Sequence, residues 1–222
     1  MNFFVTGTDT GVGKTLISCA LLHGFARQGL SVVGMKPVAA GCDDGGMNED
    51  VRALLAASNV LASRGQINPY SFERAVAPHL AAKFVGVRIS LERILQSYSE
   101  LESQADVVVV EGAGGFRVPL NEGQDSADLA RQLKLPIILV VGMRLGCLNH
   151  ALLTADAITR CGLKLAGWVA NCVDGEMRML NENIEALTER IKGPLLGVVP
   201  HHQNAPDASE VVRFLDMTLL KH

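Results

Sequence analysis

Six short apolar runs rich in β-branched residues recur along the chain, and they constrain its fold more than any other feature. The runs occupy residues 3–7, 31–36, 106–112, 136–142, 165–171 and 194–200. Such runs are typical of strands that are buried on both faces of a parallel sheet. Most are separated by segments of helical periodicity, such as Leu16, Ala20, Leu21 and Phe25. The pattern predicts an α/β fold, with a doubly wound and mostly parallel β-sheet flanked by helices.

Glycines mark two of the expected helix ends. Gly29 and Gly162 stand directly after helical patterns, where a helix C-terminus favours a residue with positive φ. The stretch from residue 43 to residue 85 is the least regular, and we expect short helices and loops there. The length of 222 residues is sufficient for one core, so residues 1–222 are predicted to form a single domain.

Composition and charge exclude several classes of protein. With 48% hydrophobic and 19% charged residues, the chain is too apolar to be disordered, yet it has no apolar run of the roughly 20 residues that cross a bilayer. The N-terminus lacks the layout of a signal peptide, so we expect a cytoplasmic protein with no membrane partner. A net charge of −3 without a basic run argues against nucleic acid as a partner. Five cysteines with no CxxC pair are predicted to be reduced thiols.

A glycine-rich stretch, GTDTGVGKT, directly follows the first apolar run. Gly13, Lys14 and Thr15 match the end of the phosphate-loop pattern GxxxxGK[ST], whereas Thr8 stands at its first position. Glycines let backbone N–H groups converge on phosphate oxygens, and the following helix adds its positive end. An ordinary glycine-rich turn is the alternative. A preceding strand and a following helix favour nucleotide binding in a P-loop NTPase-like fold.

Carboxylates in two places are candidate ligands for Mg²⁺, which prefers hard oxygen donors. Glu111 ends the run VVVV, and the carboxyl end of a buried strand faces the crevice in which such sheets bind ligands. A second carboxylate is expected after the second strand. Spacing alone does not choose among its four candidates, which are Asp43, Asp44, Glu49 and Asp50.

Lys36 ends the second run and precedes Pro37, which cannot continue a central ladder. We expect its ammonium to point into the same crevice as Lys14. A surface lysine at a strand end is the alternative. Because two lysines exceed what phosphate binding needs, a role in stabilising transition-state charge is predicted.

Six motifs occur in a specific order: GTDTGVGKT, GMKPVAAG, NPYSFERAVAPH, VVVVEGAGG, VGMRLGCLNH and GWVAN. Together they resemble the dethiobiotin synthetase family over essentially the whole chain. The resemblance implies a homodimeric, ATP- and Mg²⁺-dependent ligase of biotin biosynthesis. In that chemistry CO2 adds to an amine of 7,8-diaminononanoate, ATP phosphorylates the carbamate, and the second amine displaces phosphate to close the ureido ring of dethiobiotin.

The resemblance also implies roles for individual residues. Lys14, Lys36 and Thr10 are the implied catalytic residues, and Thr15, Asp50 and Glu111 are the implied metal ligands, which selects Asp50 among the four acids. Substrate contacts are implied for Thr10, Lys36, Ala40, Leu148 and Asn149. Nucleotide contacts are implied for Gly11, Val12, Gly13, Lys14, Thr15, Leu16, Asp50, Glu111, Gly112, Ala113, Gly114, Asn171, Cys172, Pro200, His201, His202 and Asp207.

The residues alone do not determine which base the nucleotide site binds. Asn171 ends a strand, and Asn171 with Asp174 resembles the NKxD base reader of GTPases without its lysine. On the residues alone guanine stays open, whereas the resemblance favours adenine. The paired His201 and His202 depart from the family pattern.

The substrate carboxylate requires an anion site. The turn from Gly146 to Asn149 opens a helix, whose free N–H groups could supply one. The resemblance implies that this helix start acts across a dimer interface; simple capping by Asn149 is the alternative. Gly11, Ala40 and Asn183 depart from residues that other family members use near the substrate.

Two other functions compete with the ligase. A nucleotide-switched regulator of the partitioning or septum-positioning type shares this loop style, but it carries a lysine where Asp9 stands here. A related amide ligase usually adds a glutaminase domain, for which 222 residues leave no room.

Overall fold

The computed structural model describes residues 1–43, 45–204 and 206–220. Within these residues the strands are β1 (Asn2–Gly7), β2 (Val32–Met35), β3 (Val38–Ala40), β4 (Tyr70–Phe72), β5 (Val107–Glu111), β6 (Ile137–Gly142), β7 (Leu165–Asn171) and β8 (Leu195–Val199). Six of them form one sheet in the order β2-β5-β1-β6-β7-β8. All neighbours in this sheet pair in parallel. These six strands are the six predicted apolar runs, so the predicted sheet is confirmed.

Helices cover both faces of the sheet. In the described part of the chain they are α1 (Lys14–Ala26), α2 (Glu49–Ala57), α3 (Arg64–Ile67), α4 (Pro78–Phe84), α5 (Leu91–Glu102), α6 (Ser126–Leu133), α7 (Cys147–Arg160), α8 (Leu180–Arg190) and α9 (Ala208–Val211). Residues of α1, α2 and α9 share one buried cluster with the strands, whereas α5 to α8 contribute to the clusters on the other face. The doubly wound α/β arrangement is therefore confirmed. No helix among the described residues is long and apolar enough to cross a membrane.

The interior strand β5, which lies between β2 and β1, illustrates why these runs fold as strands. Val107 and Val109 pack into one cluster, and Val108 and Val110 pack into the cluster on the opposite face. All four valines are completely buried. Burying such a side chain stabilises the fold by roughly 1.5–3 kcal/mol, so a strand apolar on both faces is stable only at the centre of a layered sheet.

The prediction of helices and loops alone for residues 43–85 is wrong in one respect. This stretch contains β4, which pairs in parallel with β3 in a separate two-stranded sheet. The chain leaves the main sheet at Pro37, which has no N–H to donate. The buried Asn68 amide then donates to the carbonyl oxygens of Lys36 (2.6 Å) and Tyr70 (2.9 Å) and links the two strands. Strands of three residues are too short to carry a recognisable period.

Two smaller predictions are confirmed. Gly29 (φ 84°) and Gly162 (φ 72°) have the positive φ expected after the C-termini of α1 and α7. All five cysteines are free thiols, and all but Cys161 are buried.

Candidate active site

The phosphate loop links β1 to α1 in a tight curve. At Gly13 this curve leaves room only for a glycine. Gly13 adopts φ 90° as the residue preceding α1, and a Cβ there would lie 2.1 Å from Nδ2 of Asn171. The same Nδ2 donates a hydrogen bond of 2.8 Å to the carbonyl oxygen of Val12. Asn171, at the end of β7, therefore holds the loop in place. The sequence did not predict this structural role for Asn171.

Lys14 lies at the floor of the loop with 6% of its surface exposed. Its Nζ donates to the main-chain oxygen of Asp9 at 2.8 Å, and within the described residues it forms no ion pair. Burial, and then repulsion from Lys36, lowers its pKa to about 8, although Glu111, Asp50 and Asp9 act in the opposite direction. A buried cation that lacks a carboxylate partner is a site prepared for an external anion.

Thr15 joins the two carboxylates of the site. Its Oγ1 lies 2.8 Å from Oδ1 of Asp50 and 2.9 Å from Oε1 of Glu111, so the hydroxyl can donate to either acid. Glu111 is completely buried, and its Oε2 has no hydrogen-bond partner in the described part of the chain. Hydroxyl and carboxylate oxygens in this arrangement are suitable ligands for a hard divalent cation.

The structure separates Asp50 from the other acids after β2. Asp50 lies in the first turn of α2, where its N–H donates to the side chain of Asn48 at 2.9 Å. Asp43 instead pairs with Arg52, and Glu49 is exposed. Asp44 lies outside the described residues. Of the described acids that follow β2, only Asp50 reaches Thr15.

Lys36 is 4% exposed, which rules out the alternative of a surface lysine. Its Nζ lies 2.6 Å from Oε1 of Glu111 and 2.8 Å from Oδ2 of Asp50. Burial lowers its pKa, but the two carboxylates outweigh burial, so the net pKa is raised and the ammonium stays charged. Burial raises the pKa of Asp50, but Lys36, together with Thr15 and Lys14, outweighs burial and holds this pKa below its usual value. Lys36 and Asp50 therefore favour each other's charged forms.

One cavity of about 920 Å³ brings most of the predicted site together. Both lysines line it, as expected from the sequence. The other predicted residues that line it are Thr10, Gly11, Gly13, Thr15, Ala40, Asp50, Glu111, Ala113 and Gly114. Small apolar side chains form a further part of its wall: Val38, Ala39, Ala75, Val76, Ala77, Pro78, Val118 and Pro119. The cavity thus combines a charged floor with an apolar wall.

Three predicted residues next to the loop do not line this cavity. Val12 is buried in the core below the loop. Leu16 lines a different, smaller depression on the outer side of α1. Gly112 contributes only its carbonyl oxygen, which lies 3.4 Å from Nζ of Lys36.

The residues predicted for the base end also lie outside the cavity. Cys172 follows Asn171, and its carbonyl oxygen lies 3.2 Å from Nδ1 of His201, so these three residues are grouped beside the loop. His202 turns away and lines a separate cavity of about 410 Å³. Asp207 accepts a hydrogen bond from the N–H of Ser209 as the N-cap of α9. Pro200 directly follows β8 and is exposed.

Helix α7 begins at Cys147 after Gly146, and its first turn has free donors. Cys147 N–H bonds to the carbonyl of Arg144, but the N–H groups of Leu148 and Asn149 have no acceptor within the described residues. Asn149 makes no capping hydrogen bond, so the alternative of simple capping is wrong. Neither Leu148 nor Asn149 lines the cavity.

Sequence reasoning missed two arginines near the site. Arg144 places Nη2 2.6 Å from Oδ2 of Asp9, at the start of the phosphate loop. Arg117 lines the cavity itself. Asn183, predicted to depart from the family pattern, is half-buried on α8 and donates to the carbonyl of Met179.

Sequence comparisons identify close relatives. A family model described as an AAA domain matches residues 1–208. The ATP-dependent dethiobiotin synthetase BioD of Nitrosospira multiformis is 56% identical over 215 residues, which cover 97% of this chain and 94% of the relative. The protein of the same name from Aromatoleum aromaticum is 54% identical over 209 residues, which cover 93% of each chain.

A structural comparison supports the fold alone. The MinC:MinD cell division protein complex of Aquifex aeolicus aligns with a TM-score of 0.58 at 15% identity, over 98% of this chain and 88% of that chain. This likeness confirms the predicted P-loop NTPase-like fold.

Proposed function

Because the chain belongs to the ATP-dependent dethiobiotin synthetase family, we propose that it closes the ureido ring of dethiobiotin from 7,8-diaminononanoate and CO2 and releases ADP and phosphate. The observation that carries this proposal is one cavity in which Lys14, Lys36, Asp50 and Glu111 form a charged floor beside an apolar wall. The floor suits a triphosphate and two reacting amines, and the wall suits an alkyl chain.

The phosphate loop supports ATP as the nucleotide. Lys14 lacks an ion-pair partner in the described chain, so the terminal phosphates of ATP would supply the missing negative charge. Asn171 supports adenine over guanine because its Nδ2 is already bonded to Val12, which leaves its Oδ1 as an acceptor. Adenine presents an amino group to such an acceptor, whereas guanine presents a carbonyl oxygen at the same position.

The same floor fits Mg²⁺. Thr15, Asp50 and Glu111 would hold the ion, since they offer hard oxygen ligands and the buried Oε2 of Glu111 lacks a partner within the described residues. Bound Mg²⁺ would neutralise and orient the phosphates. Two carboxylates and one hydroxyl do not fill the octahedral coordination of Mg²⁺, but phosphate oxygens and water complete it in such enzymes.

Lys36 is proposed to stabilise the negative charge on the carbamate and on its phosphorylated form. Its raised pKa keeps the ammonium charged, and the carboxylates of Asp50 and Glu111 fix its position. Thr10 and Gly114 would border the diamine, because both line the cavity and Thr10 Oγ1 approaches Gly114. Phosphoryl transfer depends mainly on such positioning and charge neutralisation. The apolar wall, which includes the methyl group of Ala40, would keep water from the phosphorylated carbamate.

We further propose that the enzyme acts as a homodimer of a single domain that spans residues 1–222. The free N–H groups of Leu148 and Asn149 do not face their own cavity, so they would serve the substrate of the partner protomer.

Bicarbonate dependence tests the proposed function. With Mg²⁺ and ATP present, phosphate release should require both the diamine and bicarbonate, and mass spectrometry should detect dethiobiotin. A nucleotide-switched regulator would hydrolyse ATP slowly whether or not bicarbonate is added. That result would overturn the ligase proposal.

A further inference from the structure

Arg144 and Asp9 form an ion pair between two loops that meet beside the cavity. Asp9 lies in the phosphate loop, and Arg144 lies between β6 and α7. Nη2 of Arg144 lies 2.6 Å from Oδ2 of Asp9, and the two side chains are 43% and 48% exposed. Ion pairs with this much exposure contribute little to the stability of a fold. Stability therefore does not explain a contact between residues that are 135 positions apart.

The peptide group between Asp9 and Thr10 is held at both ends. Its carbonyl oxygen, from Asp9, accepts a hydrogen bond of 2.8 Å from Nζ of Lys14. Its N–H, from Thr10, donates to Oδ1 of Asp9 at 2.7 Å, while Oδ2 of the same carboxylate accepts from Arg144. Because a peptide group is planar, fixing its N–H also fixes the direction of its carbonyl oxygen. The guanidinium of Arg144 is thus linked to Lys14 through one carboxylate and one peptide group.

The loop that carries Arg144 is itself anchored. The N–H of Met143 donates to the carbonyl oxygen of Asn171 at 2.7 Å, and the carbonyl oxygen of Arg144 accepts from the N–H of Cys147 at 3.0 Å. The main chain at Arg144 is therefore tied to the end of β7 and to the start of α7. Since Asn171 also bonds to Val12, the phosphate loop is supported from this side at two points.

Lys14 depends on this support because of its surroundings. The carbonyl oxygen of Asp9 is its one hydrogen-bond acceptor within the described residues. A lysine loses rotamer freedom when it binds a ligand, and a lysine that is already held in place loses less. Asp9 lines the cavity, whereas Arg144 lies behind it and does not. Arg144 can therefore act on Lys14 through Asp9 without reaching the ligand.

We propose that Arg144 is a positioning residue for ATP, which acts through Asp9 to orient the peptide group that holds Lys14. This inference rests on the proposed function, because it takes ATP as the ligand of the phosphate loop from it. Arg144 contacts neither the phosphates nor the reacting atoms in this scheme.

The experiment measures the Kd for ATP by calorimetry for Arg144→Gln, Asp9→Ala and the double variant, with enough Mg²⁺ to keep ATP in its magnesium complex. Arg144→Lys is the conservative variant, and Arg160→Gln is the matched control. Arg160 forms an exposed arginine–aspartate pair with Asp156 at 2.7 Å and does not line the cavity. Urea unfolding of the nucleotide-free proteins checks that every variant is folded.

For Arg144→Gln we expect the Kd for ATP to rise roughly tenfold, which corresponds to the loss of one hydrogen bond. In the Asp9→Ala background the same change should alter the Kd by less than about twofold, because a residue that acts through another has no separate effect once that residue is removed. Arg144→Lys should keep most of the affinity, since an ammonium can also donate to Oδ2 of Asp9. Arg160→Gln should bind ATP as the wild type does.

Other results overturn the inference in distinguishable ways. If Arg144→Gln weakens ATP binding equally with and without Asp9, Arg144 contacts the phosphates directly. If Asp9→Ala restores ATP binding to Arg144→Gln, Arg144 only neutralises Asp9. If Arg144→Gln binds ATP as the wild type does, the pair has no part in ATP binding.

The proposed function fails by a different result. A wild type that binds ATP but does not couple it to bicarbonate and diamine would overturn the proposed function and leave this inference standing. A wild type that does not bind ATP would overturn both.

Discussion

Two lysines lie in the same cavity and in opposite electrostatic surroundings. Lys14, in the phosphate-loop half of the floor, bonds only to a main-chain carbonyl of Asp9 within the described chain. Lys36, in the carboxylate half, contacts both Asp50 and Glu111. Burial lowers the pKa of Lys14 to about 8, whereas the two acids outweigh burial and raise the pKa of Lys36.

The difference shows which half of the site has its charges balanced before any ligand binds. Lys36 neutralises the buried Glu111 through Oε1, so this ion pair is part of the folded structure, whereas Oε2 of Glu111 has no partner among the described residues. Lys14 lacks a neutralising acid among the described residues and costs free energy until an anion binds. The phosphate-loop half therefore gains its compensating charge from a bound ligand. The carboxylate half contributes to the stability of the folded protein as well as to the reaction.

The largest expected effect is on stability. Lys36→Met leaves the buried carboxylate of Glu111 without a cation, and breaking a buried pair in this way should lower the free energy of unfolding by about 3–5 kcal/mol. Lys14→Met removes an unpaired buried charge, so it should leave the stability unchanged or slightly higher. Urea unfolding of the nucleotide-free proteins at pH 7 measures both.

A second variant sharpens this test. The double variant Lys36→Met with Glu111→Gln removes both charges and should recover most of the lost stability. If Lys14→Met and Lys36→Met lower the free energy of unfolding equally, the two halves of the site do not differ as described.

The next effect separates binding from turnover. Lys36→Ala should lower kcat roughly 10²- to 10³-fold, as expected when one donor to transition-state charge is removed. ATP should still bind within a few-fold of the wild-type affinity, because Lys14 and the loop are unchanged. Lys14→Ala should instead weaken ATP binding. Calorimetry and steady-state rates measure the two quantities, with the exposed Lys192→Ala as control.

An equal loss of ATP affinity and turnover in Lys36→Ala would contradict this division. Lys36 would then be a nucleotide contact only. Because ATP binding requires a folded site, retained binding also shows that low turnover does not come from unfolding.

The main sheet was predictable because of how its strands are buried. Strands such as β5 are covered on both faces, so nearly every position is apolar and the run stands out in the sequence. The short β3 and β4 have no such run. The Asn68 side chain bridges the main chain of Lys36 and Tyr70 beside this strand pair, and a contact of this kind has no period to detect.

The site was predictable where its chemistry follows a strand end. Glu111 ends one buried strand, and Lys14 ends the glycine-rich loop that follows another, so topology and the loop pattern together predicted that they face one crevice. Asp50 required the family resemblance, because four acids lie close together in sequence. The hydrogen bond from Asn171 to Val12 spans 159 positions, and Arg117 lies in a loop without a motif. No local pattern predicts contacts of these kinds.

The smallest expected effect is a proton taken up when ATP binds. With a pKa of about 8, Lys14 in the free protein is half protonated at pH 8 and nearly fully protonated at pH 6. A triphosphate next to Lys14 favours its charged form and raises its pKa. Binding should therefore take up about half a proton at pH 8 and close to none at pH 6, by the linkage between ligand and proton binding.

Calorimetry in two buffers with different ionisation enthalpies measures this uptake, at a Mg²⁺ concentration that keeps ATP in its magnesium complex. Lys36 should contribute none, because its raised pKa keeps it charged before and after binding. With Lys36→Ala the uptake at pH 8 should be smaller, because removing the repulsion from Lys36 raises the pKa of Lys14 in the free protein. If protons are released, or if Lys14→Ala takes up as many protons as the wild type, the contrast between the two lysines is wrong, since the unpaired buried ammonium would not be the group that responds to the phosphates.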